Sequence, residues 1–101
     1  MPYAEPLSDA ELADALASLP DWKQEGASLT RSVDVADFRA AVALVNAVAD
    51  AAEAANHHPD ILVHGYRHVT FTLSTHAAKA ITRRDTQLAA EIDRLASGTQ
   101  S

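Results

Sequence analysis

The chain contains no cysteine. That excludes disulfides and thiolate-held metals, and it suits a reducing compartment. No segment approaches the roughly 20 continuous apolar residues that a membrane-spanning helix needs. The opening MPYAEPLSDAELADAL is acidic where a secretory leader is basic, and it lacks the leader's apolar run. A soluble, cytoplasmic protein with no membrane association is therefore expected. Basic residues are few: 8 Lys and Arg stand against 14 Asp and Glu, a net charge of −6. Such a surface does not displace counterions from nucleic acid, so no nucleic-acid partner is expected. The basic pair Arg83-Arg84 is read as the solvated first turn of a helix. There is no internal repeat, linker or low-complexity tract, and 101 residues can bury a core as one domain, 1–101. The ends, MPYAEP and SGTQS, read as frayed.

What is present is well punctuated. Ser8-Asp9-Ala10-Glu11 is a capping box, and Leu12, Ala15, Leu16 and Leu19 follow at helical spacing until Pro20. Trp22 to Glu25 reads as a short strand and Gly26-Ala27 as a turn. Leu29 to Val35 is the next strand, with Leu29, Arg31, Val33 and Val35 on one face. Asp34 or Asp37 caps a second helix whose apolar stripe runs through Phe38, Val42, Val45, Val48 or Ala49, and Ala52. Alanines at 40, 43, 47, 51 and 54 widen the stripe. They suit either the close approach of another helix or simple helix propensity. Pro59 closes this helix, Ile61 and Val63 mark a strand, and Gly65 breaks it. In RHVTFTLS, Val69, Phe71 and Leu73 alternate with polar residues. Thr82 to Asp85 is a second capping box, Leu88, Ile92 and Leu95 form a core stripe, and Gly98 reads as the stop. The order helix, strand, strand, helix, strand, strand, helix predicts an α+β fold. Two antiparallel hairpins make a four-stranded sheet, with three helices packed on its apolar face.

The histidines are unevenly spread. NHHPDILVHGYRH, residues 56–68, holds four of the five, and the other is His76. His57 and His58 precede Pro59, at the edge between helix and strand, and His76 follows the last strand. If those two loops share one edge of the sheet, three imidazoles meet. Imidazole titrates near pH 6.5, so such a set could move protons, as in elimination of water from a polar ring. Other readings stand beside this one. A histidine at a helix C-terminus can merely complement the dipole. Glu53, His57, Asp60 and His76 could form a zinc site, although no HExxH is present. Glu53, four residues before His57, could instead hydrogen-bond that ring. His64 and His68 are read as bystanders on the open sheet face.

The arrangement Glu53-x3-His57-His58-Pro59-x6-Tyr66-x9-His76-x8-Asp85 resembles the signature of the pterin-4a-carbinolamine dehydratases. The resemblance extends from the Leu12/Leu16 helix through the last helix. It implies a four-stranded antiparallel sheet with helices on one face and assembly into homodimers or homotetramers. It also implies dehydration of 4a-hydroxytetrahydropterin to quinonoid dihydropterin, with no metal or organic cofactor. That activity recycles the pterin of aromatic amino acid hydroxylases. Carried over residue by residue, His57, His58 and His76 would be catalytic. His58 and His76 would handle protons near the hydroxyl and N5, and His57 would bind and orient. Asn56, Ser74, Thr75 and Ala77 would contact the pterin, with Glu53 and Asp85 in support. Asp85 also suffices as a helix cap, and Tyr66 is expected to pack at a strand end. The family usually has an acid directly after the third histidine, a Gly-Leu-Thr farther on, and often Trp two residues after the proline. Here Ala77, Lys79-Ala80-Ile81-Thr82 and Ile61 stand instead. Relatives include a dimerisation cofactor of a transcription factor, so a binding or scaffold protein of weak or no activity is the alternative.

Overall fold

The computed structural model describes residues 5–98. Helix α1 (Asp9–Ala17) is followed by strands β1 (Lys23–Glu25) and β2 (Ser28–Asp34) and by helix α2 (Phe38–Ala55). Strands β3 (Asp60–His64) and β4 (His68–Leu73) and helix α3 (Arg83–Ala96) complete the order read from the sequence. The four strands form one antiparallel sheet in the order β1-β2-β4-β3. The two hairpins therefore join through β2 and β4, with Leu29 opposite Leu73 and Val33 opposite Val69. The helices cover the face carrying Leu29, Val33, Val69, Phe71 and Leu73, all fully buried. The opposite face is mostly polar, with the exposed Leu62 opposite Thr70, and carries Ser32, whose hydroxyl lies 2.7 Å from that of Thr70. Among the described residues, no helix is long and apolar enough to cross a membrane.

Local chemistry explains most boundaries. Ser8 and Glu11 make both bonds of the capping box of α1, and Thr82 and Asp85 make both bonds of the capping box of α3. Of the two candidate caps of α2, Asp37 takes the role, accepting from the Ala40 amide at 2.8 Å. Asp34 instead pairs with the His68 imidazole across the sheet, and that hydrogen bond holds its carboxyl below the usual range. Gly26 takes positive φ as the first of two hairpin residues, where a side chain would be strained. Gly65 also has positive φ, and a Cβ there would lie 2.8 Å from the His68 ring.

Several boundaries and faces differ from the sequence reading. The buried stripe of α2 is Ala41, Leu44, Val48 and Ala52, and Phe38 and Val42 face outward. In a helix this rich in alanine, apolar residues occur on every side, so periodicity does not fix the phase. Ala41 at the sheet also permits a closer approach than Phe38 would. Helix α2 ends at Asn56 in the left-handed conformation (φ 50°, ψ 43°), three residues before Pro59, so His57 and His58 lie beyond it. Helix α3 is closed by Ser97 in right-handed conformation, and no positive φ occurs at Gly98. Its buried residues include Ala89 and Ala96, while Leu95 is only partly covered. Trp22 is buried just before β1 and is not part of the strand. Tyr66, expected to pack at a strand end, is 61% exposed in the β3–β4 turn. Pro6, expected to fray, pairs with Thr82, while residues 1–4 and 99–101 lie outside the described range.

One charged side chain turns onto the core face. Arg31 of β2 is 6% exposed, is paired with Asp93 of α3, and lies 3.5 Å from Asp21. The Trp22 indole N–H donates to the same Asp93 oxygen at 2.8 Å. Among the described residues, Arg31 Nε has no hydrogen-bond partner.

Candidate active site

The end of α2, the exit of β4 and the first turn of α3 meet at one edge of the sheet. Asparagine tolerates the left-handed conformation that turns the chain out of α2. The Asn56 carbonyl accepts from Arg84 Nη2 at 2.7 Å, which ties this corner to α3. The turn delivers His57 inward and His58 outward. His57 is buried, with Nε2 2.6 Å from Asp85 Oδ1. His58 is exposed, with Nε2 2.5 Å from Glu53 Oε2. Beyond β4 the chain makes a compact loop. Thr75 and Ala80 pair as a bridge, Ala78 N–H donates to the Thr75 carbonyl, and Lys79 N–H donates to that of His76. Lys79 takes positive φ at the tip, and His76 and Ala77 are exposed.

These segments enclose a cleft of about 220 Å³ lined by Asn56, His57, His58, Ser74, Thr75, His76, Ala77 and Arg84. The three imidazoles thus share one cleft with all four residues expected to contact a ligand. Each of the two acids pairs with one histidine, and the partners differ from the sequence expectation. Glu53 bonds His58 and not His57, and the partner of His57 is Asp85. Asp85 is both cap and partner: it is fully buried, and its Oδ2 accepts from the Thr75 hydroxyl and the Thr82 amide, each at 2.9 Å. The Thr75 hydroxyl is thus committed to the protein, and Ser74 is the hydroxyl residue left less buried in the lining.

Two residues of this corner take places at the site that the sequence does not give them. Thr82 lies 2.7 Å, hydroxyl to hydroxyl, from Thr75. Its capping motif was legible, but its reach to a distant strand exit was not. Arg84, expected in solvent with Arg83, is half-buried and is the cation of the cleft lining. Lys79 does not line it. A second cleft of about 250 Å³ opens on the other side of His57 and Arg84, over Ala51 and Ala55. It holds a single imidazole, so the first cleft is the candidate site. Among the described residues, no group of three or more histidines and acids is placed to hold a metal ion. The four-residue zinc set does not assemble, because Glu53 and His57 turn to other partners. His64 and His68 lie on the open sheet face, with ring centroids 5.5 Å apart.

The cleft therefore offers two exposed imidazoles, one buried imidazole bonded to a carboxylate, and one guanidinium. That set can exchange protons and hold a polar ring without a covalent nucleophile. The family model described as Pterin 4 alpha carbinolamine dehydratase matches residues 5–95. A Nocardia farcinica protein, provisionally named pterin-4-alpha-carbinolamine dehydratase, is 54% identical over 90 residues, covering 89% of this chain and 94% of that one. A Chloroflexus aurantiacus protein with the same provisional name is 47% identical over 89 residues, covering 88% and 95%. Among solved structures, one described as a transcriptional coactivator/pterin dehydratase from Brucella melitensis superposes with a TM-score of 0.86 at 30% identity, covering 91% of this chain and 99% of that one. A pterin dehydratase-like RuBisCO assembly factor of the alpha-carboxysome superposes with a TM-score of 0.62 at 22% identity, covering 74% and 86%, and shares the fold.

Proposed function

The chain belongs to the pterin 4 alpha carbinolamine dehydratase family, and from that membership we propose that it removes water from a 4a-hydroxytetrahydropterin to give the quinonoid dihydropterin. The observation that carries the proposal is the convergence of His57, His58 and His76 on one cleft. In this reaction the N5 lone pair forms a double bond to C4a as the C4a–O bond breaks. The hydroxyl leaves as water after gaining a proton, and N5 gives up its own proton. The reaction needs a donor near the hydroxyl and an acceptor near N5. His58 and His76 are exposed at the cleft and can reach a bound ring, which suits them to these proton transfers. His57, held rigidly against Asp85, suits binding and orientation. Asn56, Ser74, Ala77 and Arg84 supply the walls, and no cofactor takes part in this scheme. Self-association into a dimer or tetramer, cytoplasmic location and supply by an aromatic amino acid hydroxylase belong to the same reading.

A second reading has one observation in its favour. Ala77 leaves the cleft without the carboxylate usual after the third histidine, as a pterin-binding or scaffold protein would tolerate. Rapid-mixing absorbance with freshly generated 4a-hydroxytetrahydropterin separates the two. The protein is expected to speed the decay over buffer, and His76→Ala to lose roughly 10²-fold or more of that acceleration. A folded wild type that matches buffer sinks the dehydratase reading. Binding of a reduced pterin would then decide for the second.

A further inference from the structure

The carboxylate that meets His57 is gripped on its other side by donors only. Asp85 Oδ2 accepts from the Thr75 hydroxyl and the Thr82 amide, leaving Oδ1 for His57 Nε2. A carboxylate can only accept, so the proton of the 2.6 Å contact lies on Nε2. The direction of the Thr75 hydroxyl is itself imposed. Thr82 Oγ1 accepts amide N–H groups of the first turn of α3, so its own proton goes to Thr75 Oγ1, 2.7 Å away. The Thr75 proton then has one destination, Asp85. Thr75, Thr82, Asp85 and His57 are 3, 0, 0 and 8% exposed, so water does not compete for these bonds. An imidazole protonated on Nε2 keeps its lone pair on Nδ1. Among the described residues, no hydrogen bond reaches that nitrogen.

We propose that Thr75 and Thr82 are positioning residues. They hold the Asp85 carboxylate with Oδ1 turned to His57, and that carboxylate keeps the ring as the Nε2-protonated tautomer, with Nδ1 a fixed acceptor for an N–H or O–H donor of the ligand. The inference rests on the dehydratase reading for the identity of that ligand, a reduced pterin rich in N–H donors. The tautomer itself does not depend on it. The Thr75 hydroxyl thus serves the site through Asp85.

The tautomer is read from long-range proton–nitrogen spectra of the whole protein labelled with 15N-histidine, above about pH 7.5, where a free imidazole is neutral. The His57→Gln variant identifies the signal. In the wild type, His57 is expected to carry its proton on Nε2. In Asp85→Asn the same two donors claim the amide oxygen, so the amide NH₂ faces His57 and the proton moves to Nδ1. Adding Thr75→Val removes one of those donors and returns a mixture of tautomers, whereas adding Thr75→Ser keeps the inversion. The proposal is overturned by an Nδ1-protonated wild type, by a folded Asp85→Asn that keeps Nε2–H, or by a Thr75→Val double variant indistinguishable from Asp85→Asn alone. If Asp85→Asn does not fold, the wild-type spectrum still decides. In the kinetic arm, Thr75→Val leaves Asp85 an acceptor, and so keeps the tautomer, but removes one of the two bonds that aim the carboxylate at His57; KM rises roughly tenfold as the ring loses its fixed orientation, and Thr75→Ser restores it. Expected spectra without dehydration by the wild type would leave the relay standing and remove the dehydratase reading alone.

Discussion

Arg31 stands where alternation puts it, on the same strand face as Leu29 and Val33, and the sequence makes that much plain. The groups that make its burial tolerable could not be read there, because Asp21 and Asp93 reach it from a loop and from the far end of the chain. The same limit applies at the cleft. The histidines and acids were legible by type and spacing, but the i, i+4 spacing of Glu53 and His57 suggested the wrong pair. His57 lies past the left-handed Asn56, so helical spacing no longer governs its direction. Its carboxylate comes from α3, 28 residues away. A buried cation that loses its partner is costly. Asp93→Ala is expected to lower unfolding free energy by about 3 kcal/mol, measured by urea denaturation. A loss under about 1 kcal/mol would show that Asp21 alone satisfies Arg31.

Among the elements, legibility follows the range of the forces. The two capping boxes were readable because each is closed within four residues, and the strands because period-two alternation survives in Val69, Phe71 and Leu73. The phase of α2 was not readable. Its buried stripe begins at Ala41, and nothing local separates that alanine from its neighbours. The cap of α1 also predicts a pH response. Bonds from the Ser8 amide and then the Ser8 hydroxyl hold the Glu11 carboxyl below its ordinary value of about 4.5. Because the folded value is the lower one, the cap's contribution is complete above the unfolded value. It fades as pH falls below about 4.5 and is gone beneath the folded value. Glu11→Gln should flatten that part of the stability–pH curve while leaving the neutral-pH denaturation midpoint little changed. An unchanged acid limb in Glu11→Gln would assign the loss to other carboxylates.

At the scale of the whole molecule, the topology decides the site. Joining the hairpins through β2 and β4 brings the exit of β4 beside the end of α2 and the start of α3, and the histidines meet because of it. The residue at the middle of that junction is Phe71, opposite both Arg31 and Ile61 and fully buried. Phe71→Ala is expected to cost roughly 3–5 kcal/mol. That is a large share of the roughly 5–15 kcal/mol typical of such a domain, and the denaturation midpoint should fall accordingly. Tyr66→Ser, at an exposed turn, should stay within about 0.5 kcal/mol and serves as the control. The indole that donates to Asp93 gives the molecule its own optical gauge. Trp22 is the only tryptophan in the chain, it is buried, and its acceptor lies eight residues along α3 from Asp85, about 12 Å at the helical rise. Its emission will redden when the sheet and α3 separate and will stay constant when only the cleft is altered. Fluorescence can therefore sort variants that have lost the fold from those that have lost chemistry, without any label.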